Sequence, residues 1–273
     1  MENRSGSAIE IGRYVRRNRL TGETLTEGAP IYAIDYPFHS PDPAVITWRY
    51  LDWFKFEDLV INRRLYFRRA DRLDDQMEGR FSEANRRFQT ALSQRFHEAH
   101  GLQHNPDQER ASNELIRPRV FINCWHINGN ESARMWKLYT KSADSVVIRS
   151  RCDLLHSSSD GRAHPPLLVR YVGQDEPRPE YHSLAPFIFK GPCFNFENEV
   201  RLLLEAGSDE SISLDGEEDF FRYLPLRPED LILEIRTHPA ASKRIRRKVE
   251  NLCGSHLPNL RLRRSALDRK AVS

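Results

Sequence analysis

Residues 123–150, NCWHINGNESARMWKLYTKSADSVVIRS, decide how this chain is read. Residues 119–124 (RVFINC) lead into the stretch, alternate, and carry β-formers, which predicts a strand. Asn128, Gly129 and Asn130 supply turn chemistry. Asn130 is placed to cap a short helix, with Glu131 in its first turn facing the positive end of the helix dipole. Met135 and Tyr139 share one face of that helix, and Ser132 and Trp136 share the neighbouring face. A second strand follows at 145–149 (SVVIR). The order is strand, turn, helix, strand. The aromatic density of the connection makes it either a stiff core layer or the wall of a pocket.

Working outward, residues 46–51 (ITWRYL) predict a strand, and Asp52 a cap for a helix over 53–62 with Phe56, Leu59 and Val60 as its apolar stripe. Residues 65–68 predict a strand. The polar turn 70–79 (ADRLDDQMEG) leads to a surface helix at about 82–100, marked by Phe81, Phe88, Leu92 and Phe96. Downstream, strands are expected at 167–172, 196–205, 212–214, 231–236 and 260–264, a helix at 241–252, and a short aromatic segment at 187–190 (FIFK). Within 196–205 (FENEVRLLLE), Phe196, Asn198, Val200, Leu202 and Leu204 face one way, and Glu197, Glu199, Arg201 and Leu203 the other. Strands and helices mix without regular alternation. The expectation is a single α+β domain over 46–265, with a central, largely antiparallel sheet open to a split, and flanking helices. Residues 1–45 read as a poorly ordered N-terminal extension and 266–273 as a basic tail.

The 273 residues are 39% hydrophobic and 30% charged, with a formal net charge of +3. No run approaches the roughly 20 apolar residues that span a bilayer, and the N-terminus lacks the apolar core of a signal peptide. A cytoplasmic protein with no membrane contact is expected. Cys124, Cys152, Cys193 and Cys253 are far apart and read as reduced, mostly buried thiols. The histidines are scattered. His97, His100 and His104 lie close together but lack a partner cysteine, so no metal is expected. Phosphate-loop, dinucleotide-fingerprint, zinc-hydrolase and serine-elbow motifs are absent.

The charge is uneven. Lys243, Arg244, Arg246, Arg247 and Lys248, then Arg261, Arg263 and Arg264, make the C-terminal region strongly basic. Such a region attracts nucleic acid or an acidic protein. The plainer alternative is a solvated helix face.

Several segments carry a family resemblance: Arg49-Tyr50, LYFRRADRLDDQMEGRF (65–81), NCWHINGNESARMWKLY (123–139), FENEVRLLL (196–204) and LILEIRTHP (231–239). Their order resembles the bacterial and phage domain-of-unknown-function family 2971. The chain departs from that pattern at Asp74 to Glu78, where the family carries a proline-fixed turn. The layout is also similar to ADP-ribosyltransferase-like domains, which split NAD. That resemblance implies NAD as substrate and a toxin or phage-defence role. It implies Glu199 as the carboxylate beside the ribose, Glu197 next to it, and Tyr139 with them in the catalytic group. Arg49 would hold the pyrophosphate with Tyr50 beside it, and Trp136 or Tyr139 would stack on nicotinamide. The chemistry is coherent, because cleavage of the nicotinamide–ribose bond builds positive charge on the sugar and a nearby carboxylate stabilises it.

Blander readings stand beside these. Glu197, Glu199 and Arg201 read equally as a solvated charged strand face. Trp125, Met135 and Trp136 fit a core, and Cys124 a small buried hydrophobe. Asp74, Asp75 and Glu78 either set a turn or bind a cation. With Glu197 and Glu199 they define a third function class, a metal-dependent nuclease.

Overall fold

The computed structural model describes residues 9–17, 24–33 and 39–268, apart from 76, 83, 86, 88–89, 92–113, 174, 176–183 and 208. Within the stretch read as an N-terminal extension, Ile9–Arg17 (β1) and Thr24–Ala33 (β2) pair antiparallel, with Ile9 opposite Ala33. This hairpin belongs to one unit, Met1–His39, and Ser40–Ser273 form the other.

The larger unit is α+β. It begins with Ile46–Asp52 (β3), Trp53–Ile61 (α1), Arg64–Arg69 (β4), Val120–Ile127 (β5), Ala133–Tyr139 (α2), Ser145–Arg151 (β6) and Cys152–Ser158 (α3). Leu167–Leu168 (β7), Arg170–Tyr171 (β8), Phe189–Lys190 (β9), Glu199–Glu205 (β10) and Phe221–Pro225 (β11) follow. Pro228–Leu231 (α4), Glu234–Thr237 (β12), Lys243–His256 (α5) and Arg261–Arg264 (β13) complete it. Among the described residues the sheet has nine strands in the order β11-β4-β5-β3-β6-β12-β13, with β10 paired to β5 and β7 paired to β10. It is mostly antiparallel. The exception is β12 with β13, a parallel pair joined through α5, because strands running the same way need a crossover.

Strand β5 is the hinge of this sheet. One edge pairs with β10 over its whole length, from Glu199 opposite His126 to Glu205 opposite Val120. The other edge is shared. Phe121 and Ile122 pair with β4, while His126 and Ile127 pair with β3. Between those ladders the sheet splits, and side chains bridge the gap. Asn123 Nδ2 donates to the Tyr66 carbonyl at 2.7 Å, and Arg49 Nη1 donates to the Cys124 carbonyl at 2.8 Å. The bridging matters because an unpaired, buried backbone carbonyl costs free energy.

Strand alternation sorts the core onto two faces. Leu51, Phe67, Phe121, Trp125, Ile148, Val200 and Leu202 pack with Phe56, Leu59 and Val60 of α1 and Val249 and Cys253 of α5. Each such buried side chain stabilises the fold by about 1.5–3 kcal/mol. Trp48, Tyr50 and Val147 instead meet Met135 and Trp136 of α2.

Local readings changed at several points. Asp52 precedes α1, but its Oδ1 accepts from the backbone N–H of Lys141 (2.9 Å) and the Ser145 hydroxyl (3.3 Å) and makes no cap bond. Ser132, not Asn130, caps α2, accepting from the N–H of Met135. The expected strand over 196–205 starts only at Glu199, because Pro192–Glu197 is a 3-10 turn ending in left-handed Asn198 (φ 39°). Residues 212–214 form no strand. The Ser213 and Leu214 carbonyls accept from the buried Arg69 guanidinium instead. The strand Phe221–Pro225 was not foreseen. Phe88, Leu92, Phe96, His97, His100 and His104 lie outside the described residues.

Candidate functional site

Glu199 and Arg201 leave β10 on the face opposite Val200 and Leu202, as the alternation predicts. They are buried, at 4% and 1% exposure, and Glu197 is buried at 6%. The reading of a solvated charged face is therefore corrected. Charges at such depth persist only when paired and hydrogen-bonded, and here every carboxylate oxygen is engaged.

Glu199 Oε1 accepts from Arg201 Nε at 2.7 Å. Its Oε2 accepts from Lys190 Nζ at 3.1 Å and Arg201 Nη2 at 3.3 Å. Glu197 Oε2 meets Lys190 Nζ at 2.5 Å, and its Oε1 accepts from the Tyr139 hydroxyl at 2.5 Å. Arg201 forks onto Glu78, Nη1 to Oε1 at 2.5 Å and Nη2 to Oε2 at 2.9 Å, and also donates to the Phe187 carbonyl. Three carboxylates and two cations thus form one buried network, steered by the strand ends β9 and β10 and by the turn that carries Glu78.

The protonation states follow from these contacts. Burial pushes the Glu199 carboxyl up, but Arg201 and Lys190 outweigh it and hold the group far below the usual carboxylate range. For Glu78 burial wins over Arg201, and its carboxyl is raised. Burial, then the bond to Glu197, pushes the Tyr139 phenol far up, so it remains a donor at neutral pH. Burial likewise raises the Cys124 thiol, which rules against a thiolate nucleophile there. Arg49 is drawn down to about 10 by burial, against the favourable field of groups that include Cys124, Tyr66 and Glu199.

The structure brings Tyr139, Glu197 and Glu199 into one network. Arg49 approaches it from the sheet split, through the carbonyl of Cys124. Tyr50 and Trp136 are not part of it. Tyr50 leaves the same sheet face as Glu199, but its hydroxyl accepts from the N–H of Ser132 at 2.7 Å and makes no bond to the network. It meets Trp136 edge-on at 5.1 Å, and Trp136 Nε1 donates to Glu131 at 2.9 Å, so both rings are core. Asp74 and Asp75 do not join Glu197 and Glu199. Asp75 Oδ1 accepts from the N–H of Met77 at 2.9 Å and sets the turn. Sequence reasoning missed Lys190; it set Glu78 beside Glu197 and Glu199 only as a cation ligand, and Arg201 only on a solvated strand face, not as the buried ion pair they form. The one local signal was a lysine closing the apolar run FIFK.

No family model, curated protein or solved structure matches this chain. What it can do therefore has to be read from its own side chains.

A second region presents charge outward. On α5, capped by Ser242 through the N–H of Ile245, the residues Ile245, Val249 and Cys253 face the core. The opposite side exposes Lys243, Arg244, Arg247 and Lys248, which with Asn251 line a basin of about 380 Å3. Arg244 approaches the Asp144 carboxylate at 3.9 Å. Among the described residues no carboxylate lies within ion-pair distance of Lys243, Arg247 or Lys248. Arg246 differs from these, because it pairs with Asp268 at 2.8 Å. On β13, Arg261 and Arg263 lie 3.9 and 3.5 Å from Glu234, and Arg264 is exposed.

No helix among the described residues is long and apolar enough to cross a membrane.

Proposed function

We propose that this protein binds nucleic acid through the basic side of α5, with Arg264 of β13 contributing at its margin. The observation that carries this reading is the basin lined by Lys243, Arg244, Arg247 and Lys248, four cations with one distant carboxylate among them. Free, exposed cations concentrated on one helix side release counterions from a phosphate polymer on binding, and that gain is the main source of sequence-independent affinity. Arg246 and Arg263 are spoken for by Asp268 and Glu234, so they belong to the fold more than to the ligand. The test is fluorescence anisotropy with labelled oligonucleotides, comparing wild type with a variant carrying Lys243→Gln, Arg244→Gln, Arg247→Gln and Lys248→Gln. Loss of most of the affinity supports the reading. Equal affinity overturns it.

A second reading, an ADP-ribosyltransferase-like enzyme acting on NAD, is favoured by one observation. Tyr139, Glu197 and Glu199 meet in one network beside the sheet split that Arg49 bridges. It requires Lys190 to leave Glu199, because both carboxylate oxygens are occupied. NAD turnover lost in Glu199→Gln, with the fold retained, supports that reading. No turnover by wild type sets it aside.

A further inference from the structure

The basic side of α5 does not end with the helix. Lys248 Nζ stands 5.7 Å from the ring centroid of Trp53, the first residue of α1. Arg244 reaches Asp144, whose carbonyl accepts from the Trp53 N–H at 2.9 Å. The N–H of Lys141 donates to Asp52 Oδ1, which ties the end of α2 to the start of α1. Exposed on either side of this tie are Phe54 and Lys55, at the start of α1, and Leu138, Tyr139 and Lys141, at and just after the end of α2.

Their chemistry differs from that of α5. Phe54, Leu138 and Tyr139 are 58%, 53% and 43% exposed. The Tyr139 hydroxyl is fixed by Glu197, so its ring is held in one orientation. Lys55 Nζ lies 5.7 Å from the Phe54 ring centroid. Burial first, and then the positive charges of Arg49, Lys141 and Arg68, lower the Lys55 pKa. Asp52, the acid acting on Lys55, is already occupied by Lys141 and Ser145. Exposed rings interleaved with under-compensated cations thus continue the line of charge from α5.

A duplex offers such a surface only phosphates, because its bases are stacked on one another. A single strand offers both phosphates and base faces, and aromatic side chains hold the latter by stacking. We infer that the surface running from Lys243–Lys248 past Trp53 to Phe54 and Tyr139 binds single-stranded nucleic acid, the cations following the backbone and the two rings stacking on bases. The inference rests on the nucleic-acid reading above and specifies the form of its ligand.

The experiment is anisotropy with labelled oligo-dT, oligo-rU and a duplex, each of about 15 nucleotides, a length near the usual single-strand site sizes. Phe54→Ala and Tyr139→Ala are expected to weaken single-strand binding about tenfold each and to leave duplex binding unchanged. Tyr139→Phe keeps the ring and loses only the Glu197 bond that orients it, so it should weaken single-strand binding less than Tyr139→Ala does. The four-residue α5 variant should weaken every probe. Tighter binding of dT or of rU supports the inference and names the polymer. Unchanged single-strand affinity in Phe54→Ala and Tyr139→Ala, or a preference for the duplex, overturns the inference and leaves the nucleic-acid reading standing. Binding of no oligonucleotide, or of poly-glutamate alone, overturns both.

Discussion

Arg201 and Glu78 face each other as a two-bond fork, 2.5 Å and 2.9 Å, between positions 123 residues apart in the chain. The same guanidinium holds Glu199 and the Phe187 carbonyl, while Arg117 Nε donates to the carbonyl of Glu78. The fork therefore fixes the 77–79 turn against the sheet. A buried ion pair adds little net stability over an apolar substitute, but a half-removed one is costly. Arg201→Met leaves Glu78 and Glu199 without their shared cation. We expect a loss of about 3–5 kcal/mol in urea denaturation. A change below about 1 kcal/mol would mean that these charges are not buried together in solution.

Glu199 gives the stability a pH signature. Its folded carboxyl lies below its ordinary value of 4.5, so its contribution is present above that value and is lost as the pH falls below it. Glu78 runs the other way. Its raised carboxyl contributes below 4.5, and that contribution is lost as the pH rises through its folded value. The stability difference between wild type and Glu199→Gln should therefore shrink between about pH 5 and pH 3, while the difference for Glu78→Gln should not. Urea midpoints across that range report it, and a constant difference for Glu199→Gln would contradict the assignment.

These elements also show what the sequence could reveal. The faces of β10 were legible because a strand's period is two, and Val200 and Leu202 mark the apolar side unmistakably. The α+β class followed from the mixed order of strands and helices. Glu197 was misplaced onto the strand because nothing in NFEN announces that Asn198 takes a left-handed turn. Strand β11 was hidden because FRYLP is short, ends in proline, and follows an acidic run. The cap of α2 was misassigned because Ser132 and Asn130 are both good capping residues. What distinguished them is tertiary: Glu131 accepts from Arg236, Trp136 and Ser265 and cannot enter the first turn. The partner Glu78 lies 123 residues from Arg201, and Lys190, only seven residues before Glu197, is brought back onto it by the 3-10 turn Pro192–Glu197; strand or helix periodicity carries no record of either pairing.

Gly79 is the tight point of the turn that Arg201 holds. Its φ is +71°, and an added Cβ would lie 2.3 Å from Phe187 Cε1. Phe187 is fully buried, so its ring has nowhere to retreat. Gly79→Ala should cost about 1–3 kcal/mol from overpacking, with left-handed strain added to it. Gly161 provides the control. Its φ is +70°, but nothing lies within 4 Å of a Cβ there, so Gly161→Ala isolates the backbone part. Equal losses for the two variants in thermal or urea melts would show that the Phe187 contact is not the cause.

Salt separates the two components of the proposed interface. Each phosphate neutralised on a single strand adds about 0.7 to the slope of log affinity against log salt. Removing the charges of Lys243, Arg244, Arg247 and Lys248 should flatten that slope by up to about 3 units. Phe54→Ala should lower affinity at every salt concentration and leave the slope alone, because stacking on a ring releases no counterions. Titrations between about 50 and 200 mM salt make the comparison. A slope that falls in Phe54→Ala as much as in the α5 variant would mean that this ring acts by shaping the charged surface, with no base upon it.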